Sequence, residues 1–361
     1  MSNQTKITVN IEKISFEGKG IARHEGKVFF VEWAVPGDIV AVEIEKDFGT
    51  YANARLVDFL EKSSDRVDPP CPYFFKCGGC QLQNLNYDAQ LKWKQIILED
   101  ALKKREIATE VLPILPSPLE WNYRNRIQLH RSPQNQWGFH KPGSHEVVPI
   151  ENCLIAEEGI NEQIKQLKIH PLVGAIHELP LREIRALEGS SFSQINTAQN
   201  KNLVGQVMKW ANPSKKDIVF DLFAGSGNFS FPLARESKQV FAIERDAEGV
   251  AVGIKQAEKK NIFNIQWIES SVSRALVDLK KRGVVPQILV MDPPRKGLEE
   301  ALPAILPFKA ECLIYVSCNP DSFASDSKEL LKAGYTLKQV QPLDMFPQTA
   351  HVEVVGLFSL V

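Results

Sequence analysis

Residues 217–229, DIVFDLFAGSGNF, decide the fold of the second half of the chain. The apolar run at their start is typical of a buried strand, and Gly225 and Gly227 after it allow the positive φ angles of a tight turn. From Phe192 onward, further apolar runs alternate with helical segments. This alternation predicts a doubly wound, mostly parallel α/β sheet, which binds ligands at the carboxyl ends of its strands.

Acidic residues stand at three of those strand ends. Asp221 precedes the glycine turn, Glu244 ends the next apolar run and Asp292 ends a later one. The position of Glu244 suits recognition of ribose hydroxyls. The dinucleotide fingerprint Gly-x-Gly-x-x-Gly is incomplete, because Ser230 occupies its third glycine position. An ordinary glycine turn is the alternative, but the acids and the two glycines together resemble the S-adenosylmethionine-dependent methyltransferases.

A cysteine and a glutamate near the end of the chain are candidates for chemistry. Cys318 follows the apolar run 312–317, which places its thiol at the ligand edge of the predicted sheet. A thiolate is a strong nucleophile once its pKa is lowered. A buried structural cysteine is the alternative, and we accept it for Cys312 inside the strand. For Glu353, the alternative is a solvated strand residue.

Four motifs in order resemble one family, the RNA uracil-5-methyltransferases, and within it the RumA-like 23S rRNA enzymes. They are DLFAGSGNF (221–229), DPPRKG (292–297), YVSCNP (315–320) and DMFPQTAHVE (344–353). Amino-methylating enzymes of this fold carry an aromatic ring where this chain has Arg295, which disfavours amino methylation. The resemblance implies that Cys318 adds to C6 of uracil and that Glu353 later removes the C5 proton as general base.

The resemblance also implies contacts with the methyl donor, S-adenosylmethionine. They are Gln194, Phe223, Asn228, Glu244 and Asp292. Two positions depart from the family pattern. Gln348 stands where many members have histidine, and Ala350 replaces a frequent glycine. These departures leave the acid in place but change the hydrogen bonding expected around it.

The first 62 residues predict a small β-barrel. Short alternating strands, beginning with ITVNIEKI (7–14), are separated by turn signals, and closure of five such strands removes exposed edges. The stretch GKGIARHEGKVFFVEWAVPGD (18–38) resembles a TRAM domain, a small RNA-binding barrel. Candidate RNA contacts are Lys19, Arg23, Lys27, the aromatic and basic stretch 121–126, and Arg131. An exposed surface with ordinary charges is the alternative for all of them.

Three cysteines are crowded into ten residues, with the spacing C-x5-C-x2-C at Cys71, Cys77 and Cys80. Thiols this close can share one metal centre, and Cys153 is the free candidate for a fourth ligand. Spacing alone leaves zinc and an iron–sulfur cluster open, since both accept four thiolates. The family resemblance implies a [4Fe–4S] cluster held by these four cysteines.

Together these features predict a multidomain chain. An N-terminal TRAM or OB-like β-barrel (1–62) precedes an α+β central iron–sulfur domain (63–190). A Rossmann-like class I S-adenosylmethionine-dependent methyltransferase domain (191–361) follows. A helix is expected at 87–104 within the central domain, with packing against the catalytic domain as the alternative. Charge, serine and paired prolines in residues 62–70 predict a linker.

Composition excludes several classes of protein. The 361 residues are 43% hydrophobic and 24% charged, with a net charge of −1, as in ordinary globular proteins. Collagen, coiled-coil and wholly disordered chains are excluded. No apolar run approaches the roughly 20 residues of a membrane span, and no signal peptide is visible. We therefore expect a cytoplasmic monomer without a membrane partner. A neutral total neither supports nor excludes RNA, since a basic face can be local.

Three other functions stay open beside methylation of 23S rRNA. The same chemistry on tRNA is the first. Methylation at C5 of cytosine is the second, but those RNA enzymes generally use two active-site cysteines and only Cys318 is well placed here. A non-catalytic iron–sulfur RNA-binding protein is the third, and the presence of Cys318 and Glu353 argues against it. The sequence does not say which uridine is the target.

Overall fold

The computed structural model describes residues 6–169, 182–185, 194–298 and 300–360. The chain forms two compact units. The first contains residues 1–97, 117–188 and 346–351, and the second contains residues 98–116, 189–345 and 352–361. The domain boundary expected between residues 190 and 191 falls in a stretch that is not described.

The first unit begins with the predicted closed barrel of five strands. These are β1 (Ile7–Ile14), β2 (Gly20–His24), β3 (Lys27–Val31), β4 (Ile39–Asp47) and β5 (Tyr51–Glu61), in the order β1-β2-β3-β5-β4. Alternate side chains such as Val9, Ile11, Phe29, Val40 and Ala52 fill its interior. Each strand buries one face, because apolar residues recur at every second position. The five strands therefore close into a barrel around this apolar interior.

The segment predicted as a linker is packed against this barrel. Arg66 makes two hydrogen bonds to the carboxylate of Asp38, at 2.8 and 2.7 Å. The Asp38 side chain is fully buried and the Arg66 side chain is 13% exposed. Proline and charge in this segment discourage regular structure, but the buried ion pair holds the segment against the barrel. The prediction of an unpacked linker is therefore wrong.

The remainder of the first unit is α+β. A four-stranded sheet has the order β10-β7-β8-β9. Its strands are β7 (Arg126–Arg131), β8 (Trp137–His140), β9 (Val147–Pro149) and β10 (Arg182–Arg185). The helix α2 (Glu158–Ile169) lies between β9 and β10 in the chain. The predicted helix is confirmed as α1 (Tyr87–Lys104). Its first half packs on Leu82 and Leu85, and its last turns contribute Leu98 and Leu102 to the core of the second unit.

The second unit is the predicted doubly wound domain. Its eight-stranded sheet has the order β13-β12-β11-β14-β15-β17-β16-β6. The strands are β6 (Glu110–Val111), β11 (Ile218–Leu222), β12 (Gln239–Glu244), β13 (Ile265–Glu269), β14 (Ile288–Met291), β15 (Cys312–Ser317), β16 (Tyr335–Leu343) and β17 (Glu353–Leu360). Strands β11 to β15 are parallel, and β16 and β17 form the expected antiparallel hairpin.

Amphipathic helices cover this sheet. They are α3 (Thr197–Ala211), α4 (Ser230–Glu236), α5 (Ala247–Lys259), α6 (Val272–Lys281), α7 (Leu302–Ile305) and α8 (Pro320–Lys332). In α6, Val272, Ala275, Leu276 and Leu279 recur at helical spacing and are all buried. Within the described ranges, no helix is both long and apolar enough to cross a membrane.

Candidate functional site

The glycine loop turns sharply between β11 and α4. Phe223, Gly225 and Gly227 have φ angles of 64°, 54° and 97°. A Cβ added at Gly227 would lie 2.8 Å from the Trp267 ring, so both the φ angle and the space require glycine. A phenylalanine at positive φ is rare and marks local strain of the kind found at binding sites.

Glu244 is locked at the end of the neighbouring strand by backbone amides. Its Oε2 accepts a hydrogen bond from the amide of Gly225 at 2.9 Å. Its Oε1 accepts from the amides of Arg245 and Asp246 at 2.7 and 2.8 Å. The carboxylate is thus held beside the glycine loop, at the strand end where the sequence places it, with an acceptor lone pair to spare.

Two further carboxyls lie along this edge. Asp221 is fully buried, and its Oδ2 accepts a hydrogen bond from the Ser230 hydroxyl at 2.5 Å. Burial, with the negative charge of Glu244 adding to it, raises the pKa of Asp221 to about 7. Burial and the charge of Asp221 likewise raise the pKa of Asp292 to about 7. Within the described part of the chain, Asp221 Oδ1 has no hydrogen-bond partner. A buried acceptor of this kind fits a cationic or hydrogen-bond-donating ligand.

Two other expected donor contacts, Gln194 and Asn228, belong to the second unit. Gln194 is half-buried and precedes α3. Asn228 exchanges side-chain hydrogen bonds with Asn200 of α3, at 2.8 and 3.1 Å. This reciprocal amide pair ties the glycine loop to α3, and no signal in the sequence indicated it.

Cys318 lies where β15 ends and α8 begins. The side chain of Asn319 caps the helix by accepting a hydrogen bond from the amide of Asp321 at 3.0 Å. A thiol just before a helix N-terminus is favoured as thiolate. Burial nevertheless raises the pKa of Cys318 to about 11, and the negative charge of Glu353 adds to this effect, while Arg295 opposes it.

The pairing of β15 with β17 brings Glu353 to Cys318. These strands are antiparallel and Ser317, the last residue of β15, pairs with Val354, so Cys318 follows close to Glu353, whose charge acts on it. Glu353 is 5% exposed. Burial and the charge of Asp292 raise its pKa well above the ordinary value, and Arg295 opposes the shift. A carboxylate with a raised pKa is a stronger base than a solvated one.

Arg295 is the residue that sequence reasoning did not assign to this site. Its side chain hydrogen-bonds to Cys318, and its charge acts on both Cys318 and Glu353. Its carbonyl accepts hydrogen bonds from Asn319 Nδ2 and Ser322 Oγ, at 3.2 and 3.1 Å. An arginine directly after Asp-Pro-Pro was the available signal, but by itself it indicates only that the aromatic ring of amino-methylating enzymes is absent.

The four candidate metal ligands line one cavity of the first unit, with a volume of about 500 Å³: Cys71, Cys77, Cys80 and Cys153. Burial raises the pKa of each thiol, that of Cys77 to about 11. The loop that carries Cys153 is held by Asn161, whose Oδ1 accepts from the Cys153 amide at 2.7 Å. Across the described ranges, no group of three or more His, Cys, Asp or Glu is arranged to hold a metal ion.

Some expected RNA contacts are engaged elsewhere. Tyr123 is 2% exposed and donates a hydrogen bond to the carbonyl of Pro347, so it is no stacking platform, and this part of the prediction is wrong. Lys27 pairs with Asp47 at 2.6 Å and Lys19 lies 3.6 Å from Glu32. Arg23 remains exposed. Burial and ion pairing could not be read from residue type alone.

Two family models match the chain. Residues 3–57 match the TRAM domain, and residues 181–360 match tRNA (Uracil-5-)-methyltransferase. These matches and the barrel and sheet described above confirm the predicted N-terminal and C-terminal folds.

Relatives match over nearly the whole chain. A 23S rRNA (uracil(1939)-C(5))-methyltransferase of Shewanella sediminis is 30% identical, covering 98% of this chain and 96% of the relative. An uncharacterized RNA methyltransferase of Bdellovibrio bacteriovorus is 33% identical, covering 98% and 94%. The crystal structure of Pyrococcus abyssi tRNA (uracil-54, C5)-methyltransferase with S-adenosyl-L-homocysteine has a TM-score of 0.73 and 22% identity, covering 98% of this chain and 100% of that one. The last likeness shows a shared fold.

Proposed function

Because the chain belongs to the tRNA (uracil-5-)-methyltransferase family, with an N-terminal TRAM domain, we propose that it makes 5-methyluridine in 23S rRNA, with S-adenosylmethionine as methyl donor. One observation carries the chemistry: the β15–β17 register sets a half-buried thiol beside a buried carboxyl. The choice of 23S rRNA rests on the relatives whose names specify it.

Cys318, the methyl donor and Glu353 each carry one step of the proposed reaction. The Cys318 thiolate adds to C6 of the target uracil, and C5 becomes a nucleophilic enolate carbon. C5 then takes the methyl group from the donor sulfonium, which leaves as a neutral thioether. The Glu353 carboxylate removes the C5 proton, the C5–C6 double bond re-forms and the thiolate leaves. Arg295 stabilises the thiolate before attack, since its side chain hydrogen-bonds to Cys318.

The donor site is assigned to the glycine-loop edge of the second unit. We assign Gln194, Phe223, Asn228, Glu244 and Asp292 to it. Glu244 offers its remaining acceptor lone pair to a ribose hydroxyl, and the unpartnered Asp221 Oδ1 fits a donor group of the ligand. The donor supplies an electrophilic methyl group, and the protein contributes orientation and exclusion of water.

Release of tritium from RNA transcribed with 5-tritiated uridine tests this function. We expect release from 23S rRNA that needs S-adenosylmethionine, disappears in Cys318→Ala and persists in the matched variant Cys312→Ala. Glu353→Gln is expected to accumulate a covalent protein–RNA complex, because the methylated C5 keeps its proton. Release from tRNA alone would show that the same reaction acts on tRNA instead of 23S rRNA. No release from either RNA would overturn the function and favour cytosine methylation or a non-catalytic role.

We also propose that Cys71, Cys77, Cys80 and Cys153 hold a [4Fe–4S] cluster. Four thiols line one cavity, and four thiolates are the donor set that such a cluster takes, although no three of the described thiols are arranged to hold a metal ion. The cluster would link the segment 71–80 to the loop of Cys153 and so stabilise the first unit. Anaerobic purification should give protein with iron, inorganic sulfide and visible charge-transfer absorption. Cys153→Ser should lose all three, and Cys312→Ser should keep them. A colourless protein that contains zinc would contradict the cluster.

A further inference from the structure

A groove of about 730 Å³ opens on the first unit, and the described residues that line it belong to the barrel and to the segment 62–75. Three aromatic rings form its walls: Trp33, Phe59 and Phe75. The rings of Trp33 and Phe75 meet edge to face, with centroids 5.8 Å apart. Phe75 is 52% exposed, although it is large and apolar. A partly open aromatic groove of this size suits a planar ligand.

Trp33 is held in the groove against its backbone preference. Its φ angle is 59°, in the left-handed region that bulky residues rarely adopt and glycine adopts freely. Its carbonyl accepts hydrogen bonds from Arg66 Nη2 at 2.6 Å and from Asn84 Nδ2 at 2.8 Å. The surroundings therefore impose the conformation, and local strain that is imposed in this way is typical of functional sites.

Two cations lie over the ring of Phe59. The Arg66 guanidinium carbon is 4.4 Å from the Phe59 ring centroid, and Lys62 Nζ is 5.6 Å from it. Arg66 is committed to the buried carboxylate of Asp38. Lys62 is exposed and, among the described residues, forms no ion pair. Lys62 is therefore available for an anion at the edge of the aromatic walls.

Acidic residues also line the groove and limit what it can hold. They are Glu32, Glu45 and Asp68, of which Glu32 lies 3.6 Å from Lys19. Carboxylates beside the rings disfavour a run of phosphates along the groove. A further cation that lines the groove, Arg55, pairs with Glu43 at 2.5 Å. Aromatic faces with Lys62 as the available cation fit one base and one phosphate, which is how proteins take up unpaired nucleotides.

We propose that this groove holds one unpaired nucleotide of the RNA substrate, separate from the uridine that is methylated. Its base stacks on the walls formed by Trp33 and Phe75, and Lys62, held beside Phe59, pairs with its phosphate. The proposal rests on the proposed function only in taking RNA as the partner. A second copy of the chain or a peptide would use the same apolar walls, and the experiment separates these occupants.

Fluorescence anisotropy with a short single-stranded RNA, and with the duplex that it forms with its complement, tests the groove without methyl donor. Trp33→Gly and Phe75→Ala should each weaken single-strand binding about tenfold, the range of one lost base–aromatic stack, and leave duplex binding unchanged. Phe48→Ala is the matched control, because Phe48 is an exposed barrel residue that stacks on Tyr51 outside the groove. It should bind within about twofold of the parent. Trp33→Gly should stay folded, since glycine accepts the φ angle.

Three results would overturn the proposal that the groove holds a nucleotide. They are unchanged single-strand affinity in both variants, equal losses for single strand and duplex, and self-association of the parent that Phe75→Ala abolishes in sedimentation. Tritium release is measured separately on the parent protein. If the parent protein methylates RNA and the groove variants bind the single strand normally, only the proposed nucleotide site is overturned. Variants that lose single-strand binding, in a parent that releases no tritium, support the groove and overturn the methylation.

Discussion

Gln90 and Gln348 pair their amides across the buried face of α1. Gln90 Nε2 donates to Gln348 Oε1 at 2.9 Å, and the Gln348 backbone amide donates to Gln90 Oε1 at 3.0 Å. Both side chains are almost fully buried, at 1% and 2% exposure. Gln348 has a φ angle of 69°, and its carbonyl accepts from the amides of Gln81 and Leu82. The position expected to depart from the family pattern is therefore held by hydrogen bonds through its backbone and its side-chain oxygen.

Gln348→Ala should lower the free energy of unfolding by about 1–3 kcal/mol, because one buried N–H of Gln90 Nε2 loses its acceptor, Gln348 Oε1. Gln90→Ala should cost more, because it also removes the acceptor of the Gln348 backbone amide and the donor to the carbonyl of Leu85. The double variant should cost less than the sum, since the pair is lost only once. Denaturation of the four proteins measures the coupling, and Gln136→Ala, on an exposed turn of the same unit, is the control. Additive costs would show that the two amides do not depend on each other.

The rate of tritium release should rise with pH between about pH 6 and about pH 9. The reactive forms are a thiolate and a carboxylate, and burial raises the pKa of both Cys318, to about 11, and Glu353. Both groups therefore lose their protons as pH increases. A rate that falls over this range would contradict these roles.

Arg295→Ala should move that pH profile to higher pH, because the guanidinium lowers the pKa of Cys318. The release rate near neutral pH should fall about tenfold if the pKa rises by about one, since a tenth as much thiolate is then present. Arg295→Lys should recover part of the loss by keeping a positive charge. Lys296→Ala, at the exposed neighbouring position, is the control. A uniform loss at every pH would instead indicate a purely structural role.

Affinity for S-adenosylmethionine should increase from about pH 6 to about pH 8. Asp221 and Asp292 have pKa values raised to about 7, so both become anionic over this range and favour a cationic ligand. Titration calorimetry at several pH values measures the slope. S-Adenosylhomocysteine lacks the sulfonium charge and should show a weaker dependence, and Asp292→Asn should flatten it. Equal slopes for the two ligands would place the sulfonium away from these carboxyls.

Asp38→Ala should destabilise the first unit by about 3–5 kcal/mol, because it leaves the Arg66 charge buried without its partner. The carboxylate also accepts hydrogen bonds from the amides of Val35 and Ser63, at 2.7 and 3.0 Å. Glu146→Ala is the control, since it breaks an exposed ion pair with Lys141 and should cost less than about 1 kcal/mol. Thermal denaturation compares the two. Similar costs would show that the buried pair contributes no more than a surface one.

The sequence by itself determined the elements and the edge that carries the chemistry. The alternation in residues 7–14 and the run into Gly225 produced a barrel strand and a strand–turn–helix unit where they were expected. Patterns of this kind are local, because burial of one face follows a short period along the chain. The same locality placed Asp221, Glu244 and Cys318 at strand ends.

Only the tertiary structure decided which residues meet. Cys318 lies beside Glu353 because β15 pairs with β17 in one register, and Arg295 joins them because its loop hydrogen-bonds to the start of α8. Tyr123 is buried and Arg66 is fixed on Asp38 for similar reasons. Strand register and buried ion pairs depend on partners far apart in the chain, and residue type at one position does not specify the partner. The sheet therefore assembles the site from parts that the sequence presents separately.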